Sequence, residues 1–417
     1  MKAKFMLRAL LVMLLVGALG VTTVTAATPA AKAPTRLPAK EYKELKYVND
    51  RGEKLKFYGY KQFKIAWTKE MTDPTDIVMN TEKTRIFVTN GNEVIAYELS
   101  GKEVWRYELP DMSFNYYQLH IGADGTIYAI EQPENLLGDY KPGYVAALSD
   151  EGELRWEITF EDQRQAAWMS YSGSSEGTFV TFTDNGIVGV RDGEIVWTTP
   201  DILEITTHTS GTYSFSFPNV YHMFSDYDGT TFVTTDDQTY ALDDEGNVLW
   251  NRSFEGDIVL VNDDEFLLQI LPAGGWKLWD ALTGKQVNGV VLKPEWLKGT
   301  NVANDGAGGL YVSNMNQTKK NGISKIDAKG KTLWSYNIRF SGYSDAYEIG
   351  SDAGGNVFFT DSGGTFYSLD RNGNERFIFL YRNQYGPDST KAVADFDGNV
   401  YALFSNIGLI KVAKIAK

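Results

Sequence analysis

The stretch Asp243-Asp-Glu-Gly-Asn-Val-Leu-Trp250 decides the fold of this chain. It contains a polar turn with a glycine, three further residues and a tryptophan, and a short apolar strand ending at Asp243 precedes it. Glycine supplies the positive φ that a tight hairpin turn requires, so the stretch predicts strand, turn and strand. The phrase recurs along the chain, with the aromatic residue always four positions after the glycine. The aromatic residues of the copies are Trp105, Trp156, Trp197, Trp250, Trp334 and, in a weaker copy, Phe377.

A second repeated phrase, a turn with glycine followed by an apolar strand, precedes the first one in each period. Each period therefore holds four short antiparallel strands, named A to D in chain order, and the aromatic residue lies on strand D. No window of comparable length after residue 60 keeps an apolar period of ~3.6 residues, so we predict an all-β fold. Copies of the second phrase are Gly122–Tyr128, Asp226–Phe232, Asn304–Tyr311, Asp352–Phe358 and Asp395–Tyr401.

The last period lacks its strand D, and a strand of this type is found before the first period. Phe63-Lys-Ile-Ala-Trp-Thr-Lys-Glu70 has Trp67 in the aromatic place. Successive D strands are about 44 residues apart, which matches the ~40–50 residues of a propeller blade. We therefore predict a single eight-bladed β-propeller of four-stranded antiparallel blades, in which the N-terminal strand closes the last blade and leaves no open sheet edge. Asn288 replaces the aromatic residue in the fifth unit, which leaves seven blades as an alternative.

The N-terminal residues have the three parts of a secretory signal peptide. A basic start at Lys2, Lys4 and Arg8 precedes an uncharged apolar run to Val21, and small residues ending at Ala26 supply a cleavage site. The run is shorter than the ~20 residues that span a bilayer, so we predict no stable membrane span after cleavage, with a retained anchor as the alternative. The protein is expected to be secreted or associated with the cell envelope, and periplasmic in a Gram-negative source. The predicted parts are a signal peptide (1–26), an Ala/Pro-rich tether and lead-in (27–60) and the propeller (61–417).

The composition excludes several classes of function. The 417 residues include 40 Lys and Arg, 54 Asp and Glu and no cysteine, and the formal net charge is -14. Such a chain repels polyphosphate, so we expect no nucleic-acid partner. The absence of cysteine excludes disulfides, thiolate catalysis, thiolate metal sites and a lipid anchor on cysteine. We expect a monomer whose stability comes from packing.

The repeated phrase resembles that of a known family. Asp243–Trp250, Asp327–Trp334 and the fuller form Leu278-Trp-Asp-Ala-Leu-Thr-Gly284 are similar to the tryptophan-docking repeats of the quinoprotein alcohol dehydrogenase-like superfamily, also called PQQ-like propellers. The resemblance covers residues 63 to 415 and implies that the aromatic residue of strand D docks between neighbouring blades. This implied role falls on Trp67, Trp105, Trp156, Trp197, Trp250, Trp334 and Phe377.

The family name suggests an enzyme that uses pyrroloquinoline quinone. The resemblance implies that active members have an adjacent-cysteine disulfide over the cofactor, a bound calcium ion and a longer chain. This sequence has no cysteine, and no set of groups that would tune a quinone and abstract a proton is recognisable. We therefore predict a non-enzymatic member with no cofactor and no catalytic or metal-binding residue. The alternatives are an extracellular polysaccharide-active enzyme, whose carboxylate pair the sequence does not single out, and a quinoprotein dehydrogenase.

Three local motifs suggest chemistry but have simpler structural interpretations. Gly173-Ser-Ser-Glu-Gly177 matches G-x-S-x-G, yet it falls in the A-to-B turn of the third unit rather than in a strand-to-helix elbow. The pairs Asp226/Asp228 and Asp395/Asp397 suggest a weak calcium site, but they lack the remaining oxygen ligands, and Asp is also a common turn residue. The three histidines, which lack local metal spacing, are His120, His208 and His222.

The connections from strand D to the next strand A are rich in Tyr, Ser, Gly and Asn. Tyrosine gives a large contact area with little rotamer entropy, and aromatic anchors often dominate interfaces. In a propeller these connections open on one face, so we predict a non-catalytic binding or scaffold module for a protein or a cell-envelope polymer. The alternative is that the aromatic residues fill the channel and the blade interfaces. The candidate recognition residues are Tyr116, Tyr117, Trp168, Tyr171, Tyr221, His222, Tyr343, Tyr347 and Tyr385.

Overall fold

A computed structural model describes most of the chain between Tyr42 and Ile415 as a succession of short antiparallel strands. The described residues are 42–48, 54–60, 63–110, 116–132, 143–160, 172–173, 177–183, 185–202, 205–210, 213–218, 220–226, 229–235, 238–254, 258–261, 266–270, 276–288, 302–304, 309–313, 322–327, 331–338, 346–361, 365–380, 390–405 and 407–415.

The strands form the blades of a propeller, and within each blade they pair antiparallel in the order A, B, C, D. Three strands precede the first complete blade, namely β1 (Tyr42–Val48), β2 (Lys54–Tyr60) and β3 (Phe63–Glu70). Blade 1 contains β4 (Pro74–Met79), β5 (Arg85–Asn90), β6 (Glu93–Glu98) and β7 (Glu103–Glu108). Blade 2 contains β8 (Tyr116–Ile121), β9 (Ile127–Gln132), β10 (Gly143–Leu148) and β11 (Leu154–Phe160). Blade 3 contains β12 (Ser172–Gly173), β13 (Phe179–Thr183), β14 (Gly186–Arg191) and β15 (Glu194–Thr199).

A separate hairpin, β16 (Ile205–Ser210) and β17 (Tyr213–Pro218), follows blade 3. Blade 4 contains β18 (Val220–Ser225), β19 (Thr231–Thr235), β20 (Thr239–Leu242) and β21 (Val248–Arg252). Blade 5 contains β22 (Ile258–Val261), β23 (Phe266–Ile270), β24 (Trp276–Asp280) and β25 (Gln286–Val287). Blade 6 contains β26 (Val302–Asn304), β27 (Leu310–Ser313), β28 (Gly322–Ile326) and β29 (Thr332–Asn337). Blade 7 contains β30 (Ala346–Ser351), β31 (Val357–Asp361), β32 (Phe366–Leu369) and β33 (Glu375–Leu380), and the last strands are β34 (Thr390–Ala394), β35 (Val400–Phe404) and β36 (Gly408–Lys414).

The eighth blade closes as the sequence predicts. Strand β3 pairs antiparallel with β36, from Phe63 opposite Lys414 to Glu70 opposite Gly408, and so becomes strand D of blade 8. The all-β, eight-bladed prediction is confirmed. The seven-blade alternative is wrong because β25 still pairs with β24, with Val287 opposite Leu278, and completes a fifth four-stranded blade.

The lead-in before the ring contains two strands that the sequence analysis did not predict. Strands β1 and β2 form a hairpin, and β2 pairs with β33 from Lys56 opposite Leu380 to Gly59 opposite Phe377. Blade 7 thereby becomes a six-stranded sheet. Its strand D is buried, with Ile378 at 0% exposure, so the hairpin covers an apolar edge that would otherwise face water.

Aspartates close the turns between strands. Asp243 Oδ1 accepts hydrogen bonds from the backbone nitrogens of Glu245 at 3.0 Å and Asn247 at 2.8 Å, and Gly246 follows with a φ of +81°. Asp395 Oδ1 accepts from the nitrogen of Asn399 at 2.9 Å in the same way. These bonds explain the recurring Asp-x-x-Gly spacing, since the carboxylate satisfies the turn amides and the glycine adopts the left-handed conformation.

The hydrophobic core lies between blades. One cluster joins Phe87 and Ala96 of blade 1 to Leu119, Ala129 and Ala146 of blade 2, and all five are nearly inaccessible. Comparable clusters join other neighbouring blades, including blades 7 and 8. Each blade is therefore stabilised by its neighbours, which makes closure of the ring an energetic requirement.

Candidate recognition surface

Docking tryptophans fix the spacing of neighbouring blades. The Trp105 Nε1–H donates to the Asp150 carbonyl at 2.8 Å, and Asp150 belongs to the C-to-D turn of the next blade. The acceptor lies two residues before the turn glycine, Gly152, and a Cβ atom there would lie 2.6 Å from Trp105 Cδ2. The indole thus occupies space that only glycine leaves free. Equivalent bonds join Trp67 to Leu99 (3.2 Å), Trp250 to Ala281 (2.9 Å) and Trp334 to Arg371 (3.3 Å).

The residue opposite each docking ring on strand C is small or a lysine. Ala96, Ala147, Gly189 and Ala241 lie opposite the tryptophans of blades 1 to 4. Blades 6 and 8 have lysines at this place, and Lys411 Nζ donates to the Leu99 carbonyl at 3.0 Å, the same acceptor that Trp67 uses. Burial lowers the pKa of Lys411. The sequence analysis did not predict these strand-C residues, although an alanine shortly before the C-to-D turn recurs in the sequence.

In the part of the chain that the structure describes, the remaining docking residues lie at blade junctions without the hydrogen bond from a ring N–H to the next C-to-D turn. The Trp156 side chain lies against Gly193, where a Cβ atom would be 3.6 Å from Trp156 Cβ. Trp197 packs on Gly246, but among the described residues its buried Nε1 has no hydrogen-bond partner. The Gly246 carbonyl accepts from Thr199 Oγ1 at 2.5 Å instead. Phe377, which lacks an N–H group, packs edge-to-face on Phe63 at 5.4 Å, across the junction of blades 7 and 8.

A buried carboxylate joins three innermost strands where the ring closes. Asp76 on β4 is 4% exposed, and its Oδ2 accepts from the Leu119 nitrogen on β8 at 3.0 Å. Its Oδ1 accepts from the Ile77 nitrogen at 2.8 Å and lies 3.0 Å from Lys391 Nζ on β34. These contacts connect blades 8, 1 and 2 at the inner ring. The carboxylate therefore has a structural role that its sequence position did not reveal.

The predicted recognition residues differ in where the structure places them. Tyr117 on β8 is 1% exposed, and its hydroxyl donates to the Pro110 carbonyl at 2.9 Å, which corresponds to the packing alternative. Tyr347 on β30 is half-buried. The backbones of Tyr116, Tyr221 and His222 lie in strands β8 and β18, but their side chains are outside the described residues. Trp168, Tyr171, Tyr343 and Tyr385 also lie outside the described residues.

The local motifs adopt plain turns where they are described. Strands β12 and β13 pair antiparallel, with Gly173 opposite Phe179, so G-x-S-x-G lies between two paired strands, and its residues 174–176 are outside the described residues. Asp226 Oδ1 accepts from the Thr230 nitrogen at 2.7 Å, and Asp395 Oδ2 accepts from the Tyr401 hydroxyl at 2.8 Å. Asp228 lies outside the described residues, and so do the side chains of His208 and His222. His120 stacks on Tyr128, with ring centroids 6.2 Å apart.

Comparisons with known proteins agree with this geometry. A family model, PQQ_2, described as "Outer membrane protein assembly factor BamB", matches residues 44–181. The solved structure of BamB from Moraxella catarrhalis matches with a TM-score of 0.54 and 15% identity, and the match covers 84% of this chain and 99% of that one. The resemblance to PQQ-like propellers is confirmed.

Two further solved structures are similar to the chain and, like BamB at this level of identity, show the fold alone. A computationally designed protein, Ika8, matches with a TM-score of 0.53 and 13% identity over 84% of this chain and 98% of that one. The C-terminal WD40 domain of Sif2 matches with a TM-score of 0.58 and 11% identity over 85% of this chain and 99% of that one. A search of curated proteins finds no significant match to the sequence.

The described residues offer no counterpart to two features that the resemblance implies for the quinone-dependent dehydrogenases. The chain has no cysteine for the adjacent-cysteine disulfide. In the described part of the chain, no three His, Asp or Glu side chains come together as a metal site.

The described residues include no helix with the length and apolar character needed to cross a bilayer.

Proposed function

We propose that the chain is a non-catalytic, secreted or envelope-associated β-propeller that binds a protein or a cell-envelope polymer. The observation that carries the proposal is the closed eight-bladed ring, which matches 99% of the BamB structure. The family model that matches residues 44–181 is described as an outer membrane protein assembly factor. Both matches are compatible with a scaffold role in the envelope. The signal-like N-terminus is compatible with this role too.

The connections on one face supply the proposed recognition surface. Because strands alternate in direction, the D-to-A connections and B-to-C loops lie at one end of the blades, and the A-to-B and C-to-D turns lie at the other. The polar groups of the turns form hydrogen bonds within the turns, as the Asp243 and Asp395 carboxylates do. The longer connections have the Tyr, Ser and Asn composition of adaptable interfaces. We therefore assign binding to the connection face, with Tyr116, Tyr343 and Tyr385 as anchors.

Replacing the three anchors by alanine is expected to lower partner capture at least about 10-fold, which corresponds to ~1.4 kcal/mol. Tagged chain would be incubated with the envelope fraction of the producing organism, and bound proteins and sugars would be measured by mass spectrometry and sugar analysis. Phe396→Ala is the matched control, because Phe396 is 62% exposed on the A-to-B turn of blade 8. If the triple variant and the wild-type chain capture equal amounts at equal thermal stability, the connection face is not the binding surface.

The non-catalytic part of the proposal has its own test. Incubation with a panel of envelope glycans is expected to release no product, and reconstitution with pyrroloquinoline quinone and calcium is expected to give no dye-linked alcohol oxidation. Product in the first assay would establish the polysaccharide-active alternative. Activity in the second would establish the quinoprotein dehydrogenase.

A further inference from the structure

Large aliphatic side chains are exposed on the outer rim of blades 1 to 5. They lie at the beginning of strands D or in the adjoining C-to-D turn, with exposed fractions between 37% and 48%. Elsewhere in the described residues, only Phe396 and Ile415 are large, apolar and exposed to this extent. The members, here called the aliphatic arc, are Val104, Leu154, Ile195, Val196, Val248, Leu249 and Leu282.

The docking contacts place members of the arc from neighbouring blades at the same blade junctions. Trp105 lies on Gly152, so Val104, which precedes Trp105, and Leu154, which follows Gly152 by two residues, belong to the same blade junction. In the same way, Trp197 on Gly246 brings Val196 towards Val248. Trp250 on Gly284 brings Leu249 towards Leu282 in the turn of blade 5. The arc therefore has two parts, one at the junction of blades 1 and 2 and one across blades 3 to 5, and Arg155 separates them at the junction of blades 2 and 3.

Among the described residues of blades 6 to 8, no large aliphatic side chain is exposed at the equivalent places. Leu333, the equivalent of Leu249 in blade 6, is half-buried, and Ala66 takes this place in blade 8. In blade 7 the strand β2 covers strand D. Packing does not require the arc residues, because the indoles beside them already dock the blades. Exposed apolar side chains shared by adjoining blades, as in blades 3 to 5, are a mark of an interaction site.

The outer strands of the arc also offer free backbone groups. Strands β7, β11, β15 and β21 are terminal in their sheets, and in the described part of the chain no strand pairs with their outer edges. Blade 7 shows that a strand D of this ring accepts a further strand, since β2 pairs with β33 over four residues. Strand addition supplies main-chain hydrogen bonds, while alternate side chains contact the surface beside the edge.

The charge around the arc selects the partner. The C-to-D turns and first D residues of blades 1 to 4 are mainly acidic, and the only bases among them are Lys102, Arg155 and Arg191. A second copy of this acidic chain, or an anionic membrane, would be repelled. A basic segment would be attracted. The acidic residues are Glu103 and Asp150, which form ion pairs with Arg106 and Arg85, and Glu151, Glu153, Asp192, Glu194, Asp243, Asp244 and Glu245.

We propose that the aliphatic arc binds an extended segment of a partner protein with alternating aliphatic and basic side chains, paired to the outer edge of a strand D in blades 1 to 4. This inference rests on the proposed binding function but assigns a second surface, separate from the connection face. The aliphatic side chains contact Val196, Val248 and their neighbours, and the basic ones face the acidic turns.

A labelled peptide of alternating Val and Lys residues tests the proposal by fluorescence anisotropy. It is expected to bind the wild-type chain, to bind more weakly as salt rises, and to bind at least about 10-fold more weakly to a Val196→Ser, Val248→Ser, Leu249→Ser variant. All three side chains are exposed, so the variant is expected to stay folded. The matched control, Phe396→Ser with Ile415→Ser, removes the two exposed apolar side chains outside the arc and is expected to bind as wild type does.

Three results would overturn the proposal. The first is equal peptide binding by the arc variant and the wild-type chain. The second is binding of an alternating Val and Glu peptide as tight as that of the Val and Lys peptide. The third is self-association of the wild-type chain, or its binding to anionic vesicles, that the arc variant abolishes. The connection-face variant with Tyr343→Ala and Tyr385→Ala separates the two surfaces. If this variant loses envelope capture but keeps the peptide, the two surfaces act independently. If this variant captures envelope material as wild type does and the arc still binds the peptide, only the proposed function of the connection face falls.

Discussion

Deletion of residues 1–70 is expected to abolish cooperative folding of the propeller. The deletion removes β3, the whole strand D of blade 8, and with it the pairing from Phe63 to Glu70 against β36. It also removes Trp67, whose indole donates to Leu99 and joins blade 8 to blade 1. Strand β36, with Leu409 and Ile410 at 0% exposure, would become an apolar edge open to pairing with other chains.

Near-UV circular dichroism and light scattering during urea unfolding measure this effect. The deletion variant is expected to lack a cooperative transition and to aggregate. A chain without residues 1–41 keeps β1 to β3 and is expected to unfold as wild type does. A circular permutant that carries residues 61–70 after Lys417 is expected to regain the transition, since Phe63 lies opposite Lys414 and a short connection suffices. A wild-type transition in the deletion variant would show that the ring does not depend on this closure.

Gly152→Ala is expected to destabilise the protein by about 3 kcal/mol, through backbone strain and overpacking together. Gly152 has a φ of +84°, and a Cβ atom there would lie 2.6 Å from Trp105 Cδ2, which is closer than van der Waals contact allows. Gly125→Ala is the matched control. Its φ is +80°, but nothing lies within 4 Å of the added Cβ, so we expect only the backbone cost of ~1 kcal/mol.

A double-mutant cycle in urea separates the two costs. Trp105→Ala alone is expected to cost about 3–5 kcal/mol, because the ring, its stacking on Phe87 and its bond to Asp150 are lost. In that background Gly152→Ala should cost no more than Gly125→Ala does, since the clash is gone. Equal costs of Gly152→Ala and Gly125→Ala in the wild-type chain would show that the indole does not need the glycine.

The candidate surfaces were less accessible to sequence reasoning than the fold was. The aromatic D-to-A connections were visible as composition, but composition does not separate Tyr117, which is buried, from residues of an open face. The aliphatic arc was present in the repeated phrase as the residue before the tryptophan, Val104, Val196 and Leu249, yet the same residues are usual in buried strands. Exposure depends on which side of strand D the neighbouring blade covers, and a local pattern does not contain that information.

The sequence by itself determined the four-stranded blades and their closure and predicted eight of them, while the pairing of β25 with β24 removed the seven-blade alternative. Turn chemistry at Asp243 and Gly246 and the spacing of the tryptophans are local properties, and a repeat expresses them many times, so a single irregular copy at Asn288 does not obscure them. Only the tertiary structure decided that β2 covers β33, that Asp76 joins three inner strands and that the arc residues are exposed. These features depend on contacts between residues far apart in the chain, which closure of the ring alone brings together.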